Sequence, residues 1–202
     1  MEPSRFPETM AGDGIVLRRW RTDDAEALQR AVNESIEHLR PWMPWVAVEP
    51  LPIDQRRALI SAWEEAWQAG GDLVVGVFLE GTVVGSAGLH RRSTPSAVDI
   101  GYWTHVDFLG SGYATTTARL LTHGAFSLDA IRHVDIHHDR ANQASRAIPR
   151  RLGYRFLGER PDTITAPGEM GIDCTWRMGR QRWAARPAAG PAGGERGQPG
   201  PP

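Results

Sequence analysis

The run from Ala97 to Leu128, AVDIGYWTHVDFLGSGYATTTARLLTHGAFSL, restricts the possible folds more than any other part of the chain. Ala97 to His105 is apolar and aromatic in the manner of a strand. Gly110 and Gly112 then break the pattern. After them Ala114, Ala118, Leu121, Ala125 and Leu128 recur at steps of four, three, four and three. That spacing predicts a helix from about Tyr113 to Leu128 with one buried face. A strand that turns through two glycines into a helix with one apolar stripe has to lay that helix on a sheet.

The flanking sequence supplies the sheet. IVLRRW (Ile15 to Trp20) reads as a strand, followed by a helix over TDDAEALQRAV, with Thr22 or Asp23 as its cap. Pro52 and Asp54 introduce a second helix, in which Leu59, Trp63 and Trp67 share a face that reads as core and Gly70–Gly71 stops the element. LVVGVFL and TVVGSAGLH, joined by Glu80–Gly81, form a hairpin pattern. Beyond the central run come a strand (HVDIHHD), a short helix (NQASRAIPRRLGY) ended by Gly153, and two closing strands (RFLGE and IDCTWRMG). This order predicts an α/β chain with a central mixed, mostly antiparallel sheet and helices on both faces. Residues 1–12 read as a flexible leader, 13–183 as one domain and 184–202 as a disordered tail, since ten of the sixteen residues from Pro187 onward are Gly or Pro.

Composition narrows the function. At 202 residues with 41% apolar and 23% charged residues, the chain suits a soluble domain with a full core. A net charge of −1 gives no electrostatic footprint for nucleic acid. The longest apolar-rich run, Leu73 to Leu79, is too short to cross a bilayer, so no membrane partner is expected. The single cysteine, Cys174, allows no internal disulfide, points to a cytoplasmic setting, and is most simply a small core residue. A monomer or a homodimer fits the chain.

A strand, a glycine turn and a helix start together suit a phosphate, because backbone N–H groups and the helix dipole converge there. Gly110 and Gly112 taken alone read equally well as a tight turn. Two common phosphate loops are ruled out: no Lys follows in the P-loop pattern, and the third glycine of the dinucleotide fingerprint is replaced by Thr115.

The neighbouring motifs carry more. IGYWTHVDFLGSGYATTTARLL resembles the acetyl-CoA-binding motif of the GNAT superfamily of N-acetyltransferases. DRANQASRAIPRRLGYRFLGE is similar to the family's later segment, and HLRPWMPW is similar to a stretch of its RimJ/RimL-type branch, which acetylates the N-termini of ribosomal proteins. Leu109 stands where Arg or Gln is common in the family, Val106 stands where a Pro is common, and Pro149 stands where many members have a Tyr.

The resemblance implies acetyl-CoA as cosubstrate, no metal, and direct transfer to an amine, preferably the α-amine of a ribosomal or other protein or peptide. It implies that Gly110, Ser111, Gly112, Tyr113, Ala114 and Thr115 hold the pyrophosphate, that Trp103, Thr104 and His105 form the strand edge for the pantetheine arm, and that Asn142 lies near that arm. Asp99 is the candidate carboxylate and Ser145 the candidate donor to the leaving thiolate; an exposed strand acid and a helix-start hydroxyl are the plain structural alternatives. Arg140, Arg146, Arg150 and Arg151 could meet cofactor phosphates, or simply form a solvated helix face. No dedicated strong base stands out. An α-amine with a pKa of about 8 is roughly a tenth neutral at pH 7 and needs little help, whereas a lysine near 10.4 needs much more. Acetylation of a small amine and non-catalytic binding of acetyl-CoA are the competing functions.

Histidines and tryptophans complete the candidates. His133, His137, His138 and Asp139 are close in sequence, yet His137 and His138 face opposite sides of a strand and His133 is about 13 Å from His137 at ~3.3 Å per residue, so they do not share one ion. His137 or His138 is instead a candidate for the acceptor cleft, His137 being preferred. Trp42 and Trp45 could enclose the acceptor, one of them serving only to pack the helices on the sheet.

Overall fold

The computed structural model describes residues 6–91 and 94–186. Eight strands form one sheet: β1 (Thr9–Gly12), β2 (Ile15–Arg19), β3 (Leu73–Leu79), β4 (Thr82–Arg91), β5 (Ala97–Thr104), β6 (His133–Asp139), β7 (Arg155–Pro161) and β8 (Ile172–Gly179), in the spatial order β1-β2-β3-β4-β5-β6-β8-β7. The helices are α1 (Ala25–Leu39), α2 (Ile53–Gln68), α3 (Tyr113–Ser127), α4 (Gln143–Arg151) and α5 (Arg180–Ala184). Every neighbouring pair of strands is antiparallel except β5 and β6, which are parallel and joined through α3. The expected mixed, mostly antiparallel sheet is therefore present.

Two cores lie on opposite faces of the sheet. Ile100 and Val98 of β5 meet the apolar stripe of α3, with Ala118, Leu121 and Ala125 fully enclosed. On the other face Trp20, Phe78 and Val83 pack with Leu28 and Val32 of α1 and Ile60 of α2. The β3–β4 hairpin turns through Glu80 and Gly81, both at positive φ, as a two-residue hairpin requires.

The expected leader is corrected in part. Thr9–Gly12 pairs with β2, and Phe6 and Met10 are buried in the α3-side core. A Cβ at Gly124 would lie 2.7 Å from the Phe6 ring and 2.8 Å from the Met10 sulfur, so this glycine is the seat for the first strand. Asp13 and Gly14 form the β1–β2 turn, and the Asp13 carboxylate accepts bonds from Thr116 and Arg119 of α3. The tail expected to be disordered lies, from residue 187 onward, outside the described residues. Trp67 contacts Phe6 edge-on, whereas Trp63, read as core, is only partly buried and lines a cavity. Cys174 is buried as expected.

Candidate active site

The parallel ladder is short. Ala97 to Ile100 pair with His133 to Ile136, and there the pairing stops. Gly101 to Thr104 keep their β4 partners only, and His137 to Asp139 keep their β8 partners only. The two strands thus diverge into a wedge, one side of which is the bare backbone edge of β5. Such an edge is a template for an extended amide-bearing ligand.

The glycine loop stands at the end of that edge. Gly110 and Gly112 have φ of +75° and +83°, a region L side chains avoid, and a Cβ on either would meet nothing within 4 Å. The glycines serve backbone direction and leave open space in front of α3. Gly112 caps α3 without any side-chain bond, and the N–H groups of Thr115 and Thr116 both turn back to its carbonyl. The donors that precede them face the loop, the arrangement that suits an anion. Ser111 is exposed, and Tyr113, Ala114 and Thr115 are half-buried. His105 has a different task. Its Nε2 bonds Glu34 at 2.9 Å, its Nδ1 accepts from the Asp107 N–H, and its own N–H reaches Val84, so it latches the loop to α1.

Ser145 lies across the wedge. Its Oγ is 3.0 Å from the Tyr102 hydroxyl, a residue absent from the expected site. Burial raises the Tyr102 phenol to about 12, with the Ser145 bond working the other way, so it stays protonated in neutral solution. Pro149 contributes to this contact. It has no N–H to give Ser145, four residues earlier, and the freed Ser145 carbonyl receives the Tyr102 hydroxyl at 3.4 Å. Asn142 caps α4, with Oδ1 accepting from the Ser145 N–H at 3.0 Å. Its amide NH₂ is what remains for a ligand.

On the α1/α2 face a cavity of about 450 Å³ reaches β4 and β5. Its walls are mainly apolar, with Leu28, Val32, Trp45, Trp63 and Trp103 among them, and Trp45 and Trp103 meet at 6.3 Å. Trp42 is half-buried and is not part of the wall. The cavity also holds Arg56 and Glu49, an ion pair at 2.6 Å with side chains only 3% and 2% exposed, and His90, which the sequence reading did not single out. A wider polar groove of about 550 Å³, lined by Arg18, Arg19 and Glu64, lies over the β1–β2 end and does not adjoin the wedge.

Asp99 and His137 come together, but outside that apolar cavity. They line a polar cleft of about 500 Å³ with Asp135, Asp173, Arg160 and Arg177. His137 Nε2 lies 3.8 Å from Asp99, and its Nδ1 lies 3.1 Å from both oxygens of Asp173. Bonding to Asp173 raises the His137 pKa against a smaller effect of burial. Burial opposes the charge on Asp173, and the bonds from His137 and Thr175 more than offset it, leaving its pKa lowered. Asp99, Asp135 and His137 each bring a ligand atom within 4.8 Å of the others, yet Asp135 is clamped by two bonds from Arg177. His138 points to the opposite face, as expected, where its Nε2 accepts from the Trp176 indole.

Comparison with known proteins agrees with this architecture. The family model described as an acetyltransferase (GNAT) domain matches residues 15–155. YdaF of Bacillus subtilis strain 168, provisionally named a ribosomal N-acetyltransferase, is 28% identical over 156 residues, covering 76% of this chain and 85% of that protein. Among solved structures, RimL, a ribosomal L7/L12 α-N-protein acetyltransferase in complex with coenzyme A, superposes with a TM-score of 0.77 at 20% identity, over 88% of this chain and 98% of RimL. MccE, a microcin C7 self-immunity acetyltransferase in complex with acetyl-CoA and AMP, does so with 0.76 at 20% identity, over 83% and 93%.

Proposed function

The chain belongs to the GNAT acetyltransferase family, and on that premise we propose that it transfers an acetyl group from acetyl-CoA to the α-amine at the N-terminus of a protein or peptide. The observation that carries this reading is the wedge, where an open β5 edge, a glycine-led helix start and the Tyr102–Ser145 hydroxyl pair converge. When bound, acetyl-CoA supplies the acyl group already activated as a thioester.

The residues divide the work. Gly110, Ser111, Gly112, Tyr113, Ala114 and Thr115 present backbone donors to the pyrophosphate. The backbone of Trp103 and Thr104 offers the edge to the pantetheine amides, with the Asn142 NH₂ beside it; His105 supports this edge through its contact with Glu34. Ser145, hydrogen-bonded to the Tyr102 phenol, donates to the leaving sulfur. The tryptophan-walled cavity receives the first side chain of the acceptor, Trp45 being the wall and Trp42 a packing residue. Asp99 and His137, paired in the adjoining cleft, face the acceptor's following residues.

YdaF and RimL favour a ribosomal or other protein N-terminus as the acceptor. A cytoplasmic setting accords with the lone, buried Cys174, and among the described residues no helix is long and apolar enough to cross a membrane. The test is thiol release from acetyl-CoA with hexapeptides that differ in their first residue, run beside spermidine and tyramine, with the acetylated atom located by mass spectrometry. N-terminal acetylation of peptides is the expected result. Transfer to the small amines alone, or to lysine side chains alone, overturns the reading.

A further inference from the structure

His90 is placed and held as a proton acceptor should be. Its Nδ1 lies 2.9 Å from one oxygen of Asp72, whose other oxygen accepts the Arg91 N–H at 2.7 Å. The carboxylate is therefore fixed from two sides, and it orients the imidazole with Nδ1 toward it and Nε2 away. Nε2 has no hydrogen-bond partner among the described residues. It points into the apolar cavity, over a pair of glycines that face each other across the β4–β5 ladder: a Cβ at Gly88 would lie 3.0 Å from Nε2, and one at Gly101 would lie 3.1 Å from it. Gly101 is also the first residue of the bare edge of β5. The unengaged nitrogen thus hangs where the acceptor cavity reaches the start of the wedge.

Resting on the acetyltransferase reading above, we infer that His90, positioned by Asp72, is the general base that takes a proton from the acceptor amine. Asp99 lies opposite His90 in the ladder, but its carboxylate faces His137 in the polar cleft. Among the described residues, the charged groups around the imidazole are Asp72 on the loop before β3, Asp99 on β5, Arg91 beside it in the chain, and the Arg56–Glu49 pair across the cavity. Protons balance simply. The ammonium gives one proton to Nε2, which passes it to solvent. The neutral nitrogen forms the C–N bond as the C–S bond breaks, and the second proton ends on the departing sulfur.

The experiment compares wild type, His90→Gln and Asp72→Asn with acetyl-CoA and the same hexapeptides and small amines at pH 7 and pH 9. An α-amine with a pKa of about 8 is roughly a tenth neutral at pH 7 and mostly neutral at pH 9. Loss of the base therefore lowers kcat/KM about tenfold or more at pH 7 and about twofold at pH 9, while the melting-temperature rise on adding acetyl-CoA is unchanged. Asp72→Asn moves in the same direction by a smaller factor. A His90→Gln enzyme within twofold of wild type at pH 7 overturns the inference, as does an equal loss at both pH values, which would mean the ring only shapes the cavity. A wild-type protein inert toward every amine overturns the acetyltransferase reading instead.

Discussion

Gly112→Trp should give a folded protein that no longer responds to acetyl-CoA. The substitution carries two separate costs. Gly112 has φ +83°, so any L residue there bears left-handed strain of about 1–2 kcal/mol. Its Cβ would meet nothing within 4 Å, so the protein itself adds no clash. For a chain of this size, ~1 kcal/mol moves the midpoint by about 2–4 °C, and Gly112→Ala and Gly112→Trp should both melt about 2–8 °C below wild type. The second cost falls on the ligand alone. Acetyl-CoA at a hundredfold excess over Kd stabilises the native state by about 2.7 kcal/mol, a rise of about 5–11 °C. Alanine leaves room for a phosphate at the start of α3 and keeps most of that rise; an indole fills the open space and removes it. Melting curves of the three proteins with and without acetyl-CoA decide the matter. A tryptophan variant that keeps the full wild-type rise refutes the loop as the binding site.

Three further outcomes follow from the geometry. Ser145→Ala should lower kcat by about a hundredfold or more with little change in the KM for peptide, and Tyr102→Phe should do so less severely, in steady-state kinetics. Glu49→Gln leaves Arg56 charged and unpaired in a buried position and should cost about 3–5 kcal/mol in urea unfolding; a value under 1 kcal/mol would mean that water reaches the pair. The His137–Asp173 contact should make stability depend on pH. His137, with its pKa raised when folded, contributes fully below its ordinary value of 6.5, and that contribution disappears as pH rises through the folded value. Asp173, with its pKa lowered, contributes above 3.8 and loses its contribution as pH falls. The melting deficit of Asp173→Asn should therefore be larger at pH 5.5 than at pH 9.

Much of the scaffold was legible because its signals are local. The stripe of α3, the Glu80–Gly81 turn and the Gly153 stop each lie within one element. Strand β1 was obscured by its length of four residues and by Ala11 and Gly12, which are poor strand markers, although Asp13–Gly14 is a recognisable hairpin pair. The chemistry was harder to read because it is assembled across the chain. Tyr102 and Ser145 are 43 positions apart, and His90 and Asp72 are 18 apart. Neither pair has a spacing that sequence periodicity can register; the first is set by the wedge and the second by the β3–β4 pairing. Asp99 and His137 did fall on one sheet face, but Asp173 and Asp135, which fix their surroundings, come from β8 and β6.

The four-residue ladder between β5 and β6 has a mechanical consequence. It is the seam between a five-stranded and a three-stranded half of the sheet, and apart from that ladder and the bonds of the Arg132 and His133 N–H groups to the Ser96 carbonyl beside it, the halves are joined by α3 and by side chains such as Tyr102 and Ser145. Spreading the halves at the open end breaks few backbone bonds, whereas bending either half would break many. The deformation that widens the wedge at least cost in backbone bonds therefore runs along a single line between β5 and β6.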